Sequence, residues 1–264
     1  MPSCPDLSPF LDLANRLADA SGDVIRKYFR AQFEVVEKAD SSPVTIADRE
    51  SEQALRVLLA KSRPDDGVWG EEFGCNRMDA PFVWVFDPID GTRAFACGKP
   101  LFGTLIGLLY EGRPVLGVID QPILKERWIG ADGIGSFFNA KPCKTRSCAG
   151  LKDAVVTLSP HPFPEGGEAE TIPFRKIAKQ VKTTSMYGDC YAYGLLASGF
   201  TDLVLENGLK LHDFAALVPV VRNAGGAMTD WQGGELGTGS TGEVLAVGDT
   251  RVLRETFDFL RGLA

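Results

Sequence analysis

An uninterrupted apolar run from Phe82 to Phe86 places the tightest restriction on how this chain folds. An apolar run without polar alternation predicts a strand that is buried on both faces. The run continues into Asp87-Pro88-Ile89-Asp90, and the proline keeps the aspartate before it in an extended conformation. The second aspartate follows three residues after the first, so both carboxylates can turn toward one point. The sequence therefore predicts a buried strand that delivers two acids at its carboxyl end.

Helical and strand-like segments alternate along the rest of the chain, which favours an α/β protein. The predicted helices cover about 8–29, with Ser8 as N-cap, then about 46–60, 191–198 and 213–223, and a closing helix from about Asp249. The strand-like runs are 82–86, 101–110, 115–119, 154–158, 202–205 and 244–247. We expect a layered αβαβα sandwich with mixed sheets between helix layers. It would form a single unit over 1–264, with a metal-binding α+β half at about 1–145 and an α/β half at 146–264.

Charge and composition argue against several classes of protein. The chain has 28 Lys+Arg against 35 Asp+Glu and no basic block, so we expect no nucleic-acid partner. Its longest stretch without a formal charge, 190–201, is 12 residues, short of the roughly 20 that a membrane helix needs. The six cysteines form no C-x-x-C pair and the chain start lacks a secretory pattern. We expect reduced thiols in the cytoplasm, or in the plastid stroma if a transit peptide has been removed.

Further acids lie where a solvated charge is unusual. The pair Glu71-Glu72 stands between a tryptophan and a phenylalanine, Asp213 begins an apolar helix, and Asp48 lies in the first turn of another helix. Each position also has a purely structural interpretation. The glutamates fit a glycine-flanked turn, Asp213 fits an acid that offsets a helix dipole, Asp48 fits a capping box, and Asp90 fits an Asp-Gly turn.

Taken together, these acids indicate a divalent-cation site. With only two histidines in the chain, the candidate ligands are hard oxygen atoms, which favour Mg²⁺ or Mn²⁺ over zinc. Backbone N–H groups at Gly91-Thr92, where a short helix begins, would form a phosphate cradle. The combination fits metal-assisted hydrolysis, in which two ions about 4 Å apart clamp the attacking and leaving oxygens.

Three motifs in order resemble those of the inositol monophosphatase family, which carries GEE, DPIDGT and WD-x-A: Glu71-Glu72, Asp87-Pro88-Ile89-Asp90-Gly91-Thr92 and His212-Asp213-Phe214-Ala215-Ala216. The resemblance spans nearly the whole chain, and it implies two or three Mg²⁺ ions per site, with Mn²⁺ as a possible substitute, and a homodimer. One departure stands out, because His212 occupies the position of the family's usual tryptophan.

The resemblance also implies roles for individual residues. Glu71, Asp87 and the carbonyl of Ile89 would hold a first metal; Asp87, Asp90 and Asp213 would hold a second; and Glu71 with waters would hold a third. Thr92, hydrogen-bonded toward Asp48, would orient the nucleophilic water, and Glu71 or Thr92 would relay its proton. The amides of Gly91 and Thr92 would bind phosphate.

Four further segments are similar to the histidinol-phosphate phosphatase branch of this family: 98–105, 119–130, 188–193 and 205–210. The substrate that this similarity implies, L-histidinol phosphate, carries an ammonium and an imidazole group. Carboxylates away from the metals would suit it, and the candidates are Asp189 and Glu206, with Asn207 as a weaker one. The structural interpretation of Asp189 is an N-cap of the helix that follows.

Other functions remain open at this stage. An inositol or broad sugar-phosphate monophosphatase would share the site, and so would a 3'-phosphoadenosine 5'-phosphate nucleotidase, although no basic residues for a second phosphate are evident in the sequence. A catalytically idle acidic scaffold would bind Mg²⁺ without releasing phosphate. The G-x-G-x-x-G pattern at 237–242 precedes a strand, which argues against dinucleotide binding. Cys190 is interpreted as a packed thiol.

Overall fold

A computed structural model describes residues 5–31, 35–37, 43–160 and 171–261 of the chain. The prolines at 160, 162 and 164 predict a loop around His161, and its residues from His161 to Pro164 lie outside these ranges. The helices are α1 (Ser8–Tyr28), α2 (Ile46–Ser62), α3 (Thr92–Ala96), α4 (Ile172–Ala178), α5 (Asp189–Ala197), α6 (Leu211–Phe214), α7 (Leu217–Asn223) and α8 (Thr250–Arg261), with a 3-10 turn at Leu151–Asp153.

The strands belong to three sheets. A two-stranded ribbon pairs β1 (Val35–Glu37) with β2 (Pro43–Thr45). The large sheet, in the order β10-β9-β8-β7-β6-β5-β3-β4, contains β3 (Gly67–Gly70), β4 (Gly74–Asn76), β5 (Phe82–Asp90), β6 (Gly103–Tyr110), β7 (Arg113–Gln121), β8 (Glu126–Ala131), β9 (Gly135–Phe138) and β10 (Lys141–Pro142). The small sheet, in the order β12-β11-β13-β15-β14, contains β11 (Val155–Ser159), β12 (Thr183–Met186), β13 (Leu203–Glu206), β14 (Ala227–Thr229) and β15 (Val244–Val247).

Both larger sheets are mixed, as the sequence predicts. In the large sheet β3 runs parallel to β5, whereas β5 to β8 form an antiparallel meander. In the small sheet β11 is parallel to β12 and β13, and β15 pairs antiparallel with β13 and β14. The large sheet ends before the small one begins along the chain, and helices from the second half cross over to pack on the first.

Apolar side chains on opposite faces of β5 show how the layers stack. Trp84 and Phe86 pack with Leu17 of α1 and Leu55 of α2, whereas Val83 and Val85 face α5, α6 and α7. This division follows from the alternation of side chains along a strand. Helices α5, α6 and α7 also contact one face of the small sheet, and α4 and α8 cover its other face. The predicted αβαβα sandwich is confirmed.

The boundaries of three predicted helices differ from the structure. Leu7, not Ser8, is the N-cap of α1, and the Asp6 carboxylate accepts a hydrogen bond from the Ser8 amide at 3.0 Å. The predicted helix 213–223 is instead two helices, α6 and α7, with Ala215 and Ala216 in a turn between them. The helix predicted from 191 begins two residues earlier, at Asp189.

Among the helices of the described ranges, none combines the length and the apolar character required to span a bilayer.

Candidate active site

Three carboxylates converge where β5 ends and α6 begins. Asp87 and Asp90 lie on either side of a register shift in the pairing of β5 with β6. This irregularity changes the direction of the backbone between them, as a bulge does. Asp213 arrives from α6, which packs against β5. One oxygen from each of Asp87, Asp90 and Asp213 lies within 4.8 Å of the others.

Without a cation, ionisation of the clustered carboxyls is unfavourable. Asp87 is 2% exposed, and burial, followed by the charges of Glu71 and Asp90, raises the pKa of its carboxyl well above the ordinary value. Burial and the charge of Asp189 likewise raise the pKa of Asp90, although the amide of Cys190 donates to its carboxylate at 2.5 Å. Desolvation and mutual repulsion both disfavour ionised acids, so a divalent ion would relieve both.

The donor set fits a hard divalent cation. The Oδ1 atom of Asp87 is buried and has no hydrogen-bond partner in the described part of the chain. A buried charged oxygen without a donor is costly, and a cation would satisfy it. Carboxylate oxygens are the ligands that Mg²⁺ and Mn²⁺ prefer.

Asp213 lies in the first turn of α6 and also belongs to the acid cluster. Its carboxylate accepts a hydrogen bond from the Lys210 amide at 2.6 Å, which fixes the start of α6. The structural interpretation from sequence is therefore correct, and the same side chain still reaches the acid cluster. His212 is buried beside it, with Nε2 at 3.4 Å from an Asp213 oxygen.

A glutamate that the sequence analysis missed holds the Glu71 turn. Glu52 of α2 is fully buried, and its carboxylate accepts hydrogen bonds from the amides of Glu72 at 2.7 Å and Phe73 at 3.3 Å. Arg56, one turn further along the helix, pairs with the same carboxylate at 2.7 Å. A Cβ at Gly70 would lie 1.9 Å from a Glu52 oxygen, so any other residue there would displace this carboxylate. Glu52 thereby fixes the loop from which Glu71 acts on the charge of Asp87.

The other predicted catalytic and phosphate-binding groups come from the segment after β5 and from the start of α2. Gly91 has a φ of 85°, in the left-handed region that favours glycine, and α3 starts directly after it. The Thr92 hydroxyl donates to the carbonyl of Ile89 at 3.0 Å. Asp48 is buried in the first turn of α2, and its charge contributes to the raised pKa of Asp87. The hydrogen bond expected between Thr92 and Asp48 stays a prediction.

A cleft of about 550 Å³ opens beside the carboxylates. Its acidic lining residues are Asp90, Asp189, Glu206 and Asp213, and its basic ones are Arg93 and Lys99. Larger, mainly apolar side chains also line it: Leu101, Met186, Tyr187 and Leu209. No basic residue for a second phosphate is evident in the sequence, but Arg93 and Lys99 line the cleft in the structure. Arg93 and Lys99 come from the short helix and loop after the Asp87–Thr92 motif, and only folding brings them to the cleft.

Two of the predicted substrate residues border this cleft. Asp189 lies against Gly91, where a Cβ on the glycine would be 2.9 Å from a carboxylate oxygen of Asp189. The N-cap of α5 is Gly188, without a side-chain cap bond, so Asp189 does not cap its helix. Its φ of 42° is a strained backbone conformation of the kind that accumulates at functional sites. Asn207 follows Glu206 but is not among the described residues that line the cleft.

Burial raises the pKa of the carboxyls of Asp189 and Glu206. Desolvation raises the pKa of Asp189 to about 6, with the Arg93 charge acting in the opposite direction. Desolvation raises the pKa of Glu206 to about 7, and a hydrogen bond from Tyr193 acts against that rise. Both acids therefore favour a positively charged partner within the range of physiological pH.

The fold and the site together define a layered α/β protein with a candidate divalent-cation centre beside a charged cleft. The chain belongs to the inositol monophosphatase family, whose model matches residues 6–257. It is a phosphatase of that family.

Comparison with individual relatives leaves more than one substrate open. The chain is 49% identical to the bifunctional phosphatase IMPL2, chloroplastic, of Arabidopsis thaliana, over 97% of this chain and 76% of the relative. It is 35% identical to a histidinol-phosphatase of Chlorobaculum parvum, over 86% of this chain and 88% of the relative. A solved structure of an inositol monophosphatase from Zymomonas mobilis is 47% identical, with a TM-score of 0.87, and covers 98% of this chain and 100% of that one.

Proposed function

We propose that this phosphatase hydrolyses L-histidinol phosphate with the help of Mg²⁺. The observation that carries the proposal is a pair of carboxylates, half-buried Asp189 and buried Glu206, that border the cleft beside the Asp87 cluster. A phosphate ester with a cationic nitrogen would place its phosphate at the cluster and its charge at this pair. The name of the Chlorobaculum relative supports the same substrate.

The chain's own residues divide the work. Asp87, Asp90 and Asp213, with Glu71 and the carbonyl of Ile89, would hold two or three Mg²⁺ ions, for which Mn²⁺ would substitute. Bound cations supply charge neutralisation for the phosphate and an acidified water. Thr92, with Asp48 behind it, would orient that water, and Glu71 or Thr92 would accept its proton. The amides of Gly91 and Thr92 would hold the phosphate oxygens.

A competing substrate has structural support of its own. Arg93 and Lys99 at the cleft would suit a second phosphate, as in 3'-phosphoadenosine 5'-phosphate. Arg93 is also close enough to influence the charge of Asp189, so part of its charge is already balanced. An inositol phosphate or a broad range of sugar phosphates is the other alternative, supported by the similarity to the Zymomonas protein.

Parallel assays separate these candidates. Phosphate release with Mg²⁺ would be measured for histidinol phosphate, inositol 1-phosphate and 3'-phosphoadenosine 5'-phosphate at equal protein concentration. We expect the highest kcat/KM for histidinol phosphate and no release by Asp87→Asn. A preference for inositol 1-phosphate would overturn the substrate assignment and leave the metal-dependent mechanism in place. Equal release with a chelator present would overturn that mechanism.

The role of Asp189 is tested separately. Asp189→Asn keeps the side-chain shape but removes the charge that would meet the ammonium group. We expect KM for histidinol phosphate to rise by about tenfold or more, because charged hydrogen bonds are the stronger class. KM for p-nitrophenyl phosphate, whose alcohol part carries no charge, should change far less. Equal changes for the two esters would show that Asp189 does not recognise charge.

The assembly and the compartment are also part of the proposal. We propose a homodimer, to be measured by light scattering on the purified chain. We propose a cytoplasmic or plastid-stromal location, to be tested by fractionation of the source cells.

A further inference from the structure

Tyr193 contacts a cleft residue from a position that the cleft itself does not reach. Its side chain is completely buried on α5, and its hydroxyl donates a hydrogen bond to Oε2 of Glu206 at 2.6 Å. Glu206 borders the cleft, whereas Tyr193 is not among the described lining residues. The tyrosine therefore lies behind the glutamate and restrains one of its two carboxylate oxygens.

The arrangement depends on the helix that carries Asp189. Asp189, the first residue of α5, lines the same cleft as Glu206, and Tyr193, four residues later on α5, hydrogen-bonds Glu206 at the end of β13. Helix α5 thus supplies one cleft carboxylate, Asp189, and holds a second, Glu206, through the Tyr193 hydroxyl. The phenol is a neutral donor here, because burial followed by the charge of Glu206 raises the pKa of Tyr193 well above its ordinary value.

A buried glutamate side chain needs such a restraint to act in recognition. Glutamate has three rotatable side-chain bonds, and a carboxylate that must meet a ligand cation binds best when its orientation is already fixed. With Oε2 bound by Tyr193, the Glu206 carboxylate borders the cleft in a restrained orientation. A hydrogen bond to a charged acceptor contributes more than one between neutral groups.

We propose that Tyr193 is a positioning residue that orients Glu206 toward the cationic nitrogen of a phosphate monoester. This inference rests on the proposed function for its natural substrate. The wider class of substrate that it specifies is a phosphate ester with a positively charged nitrogen near the phosphate. Tyr193 touches neither the substrate nor the reacting atoms, so its effect should appear in KM and not in the chemical step.

The test is the substitution Tyr193→Phe, which removes only the hydroxyl. We expect KM for histidinol phosphate to rise about tenfold, with kcat changed less than about threefold. Both constants for p-nitrophenyl phosphate should change by less than about threefold, because that ester has no cation for Glu206 to meet. A general loss of packing would alter both substrates alike, and that result would overturn the proposal.

Tyr191→Phe is the matched control. Tyr191 lies on the same helix, and its hydroxyl also donates to a glutamate, Glu126, at 2.6 Å, but neither residue borders the cleft. Removing this hydroxyl should leave the ratio of the two KM values within about twofold of the original protein. A change in that ratio as large as the one from Tyr193→Phe would also overturn the proposal.

A double substitution shows whether Tyr193 acts through Glu206. If it does, Tyr193→Phe combined with Glu206→Gln should raise KM for the cationic ester no more than Glu206→Gln alone. Additive effects would overturn the proposal. The melting temperature of each variant establishes that it is folded under assay conditions.

The outcome remains distinguishable from failure of the proposed function. If the unaltered protein does not hydrolyse histidinol phosphate, that function fails, and the same variants are compared on phosphoethanolamine and p-nitrophenyl phosphate. Selective loss with the ammonium ester supports the role of Tyr193. No selectivity on this pair overturns it.

Discussion

Asp87 shows how much a single buried acid decides in this molecule. Burial and the charge of Glu71 raise the pKa of its carboxyl, and no donor in the described ranges meets its Oδ1 atom. Asp87→Asn removes the repulsion and the orphan charge together, so the metal-free protein should become more stable by about 1 kcal/mol or more. The same change should abolish Mg²⁺-dependent phosphate release and the rise in melting temperature on adding Mg²⁺.

Thermal unfolding with a chelator, then with Mg²⁺, measures both effects of Asp87→Asn. Asp258→Asn is a suitable control, because Asp258 is exposed on the outer helix α8 and should leave both measurements unchanged. A variant that melts lower than the original protein without metal, or that still releases phosphate, would contradict the assignment of Asp87.

The residues that could be predicted from sequence differ physically from those that could not. The aspartates after the apolar run of β5 can be identified as functional candidates from sequence, because an acid at the end of a buried strand has few structural reasons to be there. Glu52 and Tyr193 gave no such signal. Glu52 reads as an ordinary charge on an amphipathic helix, and its partners, the amides of Glu72 and Phe73, are about 20 residues away. Only the packing of α2 against β3 reveals its role.

At the scale of elements, a row of glycines on the large sheet places the helix that carries Asp213. Gly107, Gly117 and Gly130 are cross-strand neighbours on β6, β7 and β8. Above them the chain between α6 and α7 approaches closely: a Cβ on Gly117 would lie 1.8 Å from the carbonyl oxygen of Ala216. The break between α6 and α7 lies at this contact. The sequence predicted one helix there because an apolar pattern alone does not reveal where a backbone will meet another backbone.

Gly117→Ala should therefore damage both stability and activity. The new methyl would meet backbone, which cannot rotate away, so α6 and α7 must shift relative to β5 and carry Asp213 away from Asp87 and Asp90. We expect a loss of about 1 to 3 kcal/mol in unfolding free energy, typical of overpacking, and a loss of Mg²⁺-dependent turnover. Gly239→Ala is the control, because a Cβ there meets nothing within 4 Å. Equal stability of the two variants would contradict the role of the glycine row.

The strand predictions held better than the helix boundaries for a related reason. The runs at 82–86 and 244–247 lie within β5 and β15, whose burial on both faces is visible in the sequence as continuous apolar residues. The closing helix also appears close to its predicted start, at Thr250. Helix ends and bends depend on contacts with distant strands, and these contacts leave no local pattern.

At the scale of the whole molecule, the cleft acids couple folding to pH and to metal. The pKa of Asp189 is raised from 3.8 to about 6 and that of Glu206 from 4.5 to about 7, in each case first by burial. In the unfolded chain both groups lose their protons at a lower pH than in the folded one. Their contribution to stability is therefore fully present below the unfolded pKa values, near pH 4, and is lost as the pH rises through 6 to 7.

Metal-free protein should consequently melt at a lower temperature at pH 8 than at pH 5, by about 5 °C or more, since 1 kcal/mol corresponds to a few degrees in a chain of this size. Added Mg²⁺ should raise the melting temperature more at pH 8, because ionised carboxylates bind it and a ligand of the folded state stabilises that state. Calorimetry with and without chelator across this range measures both trends. Because other groups titrate as well, the original protein is compared with the double variant Asp189→Asn with Glu206→Gln. Without metal, the melting temperature of this variant should fall less steeply with rising pH than that of the original protein. Parallel curves for the two proteins would show that these carboxyls keep ordinary pKa values and that the cleft does not favour a cation through them.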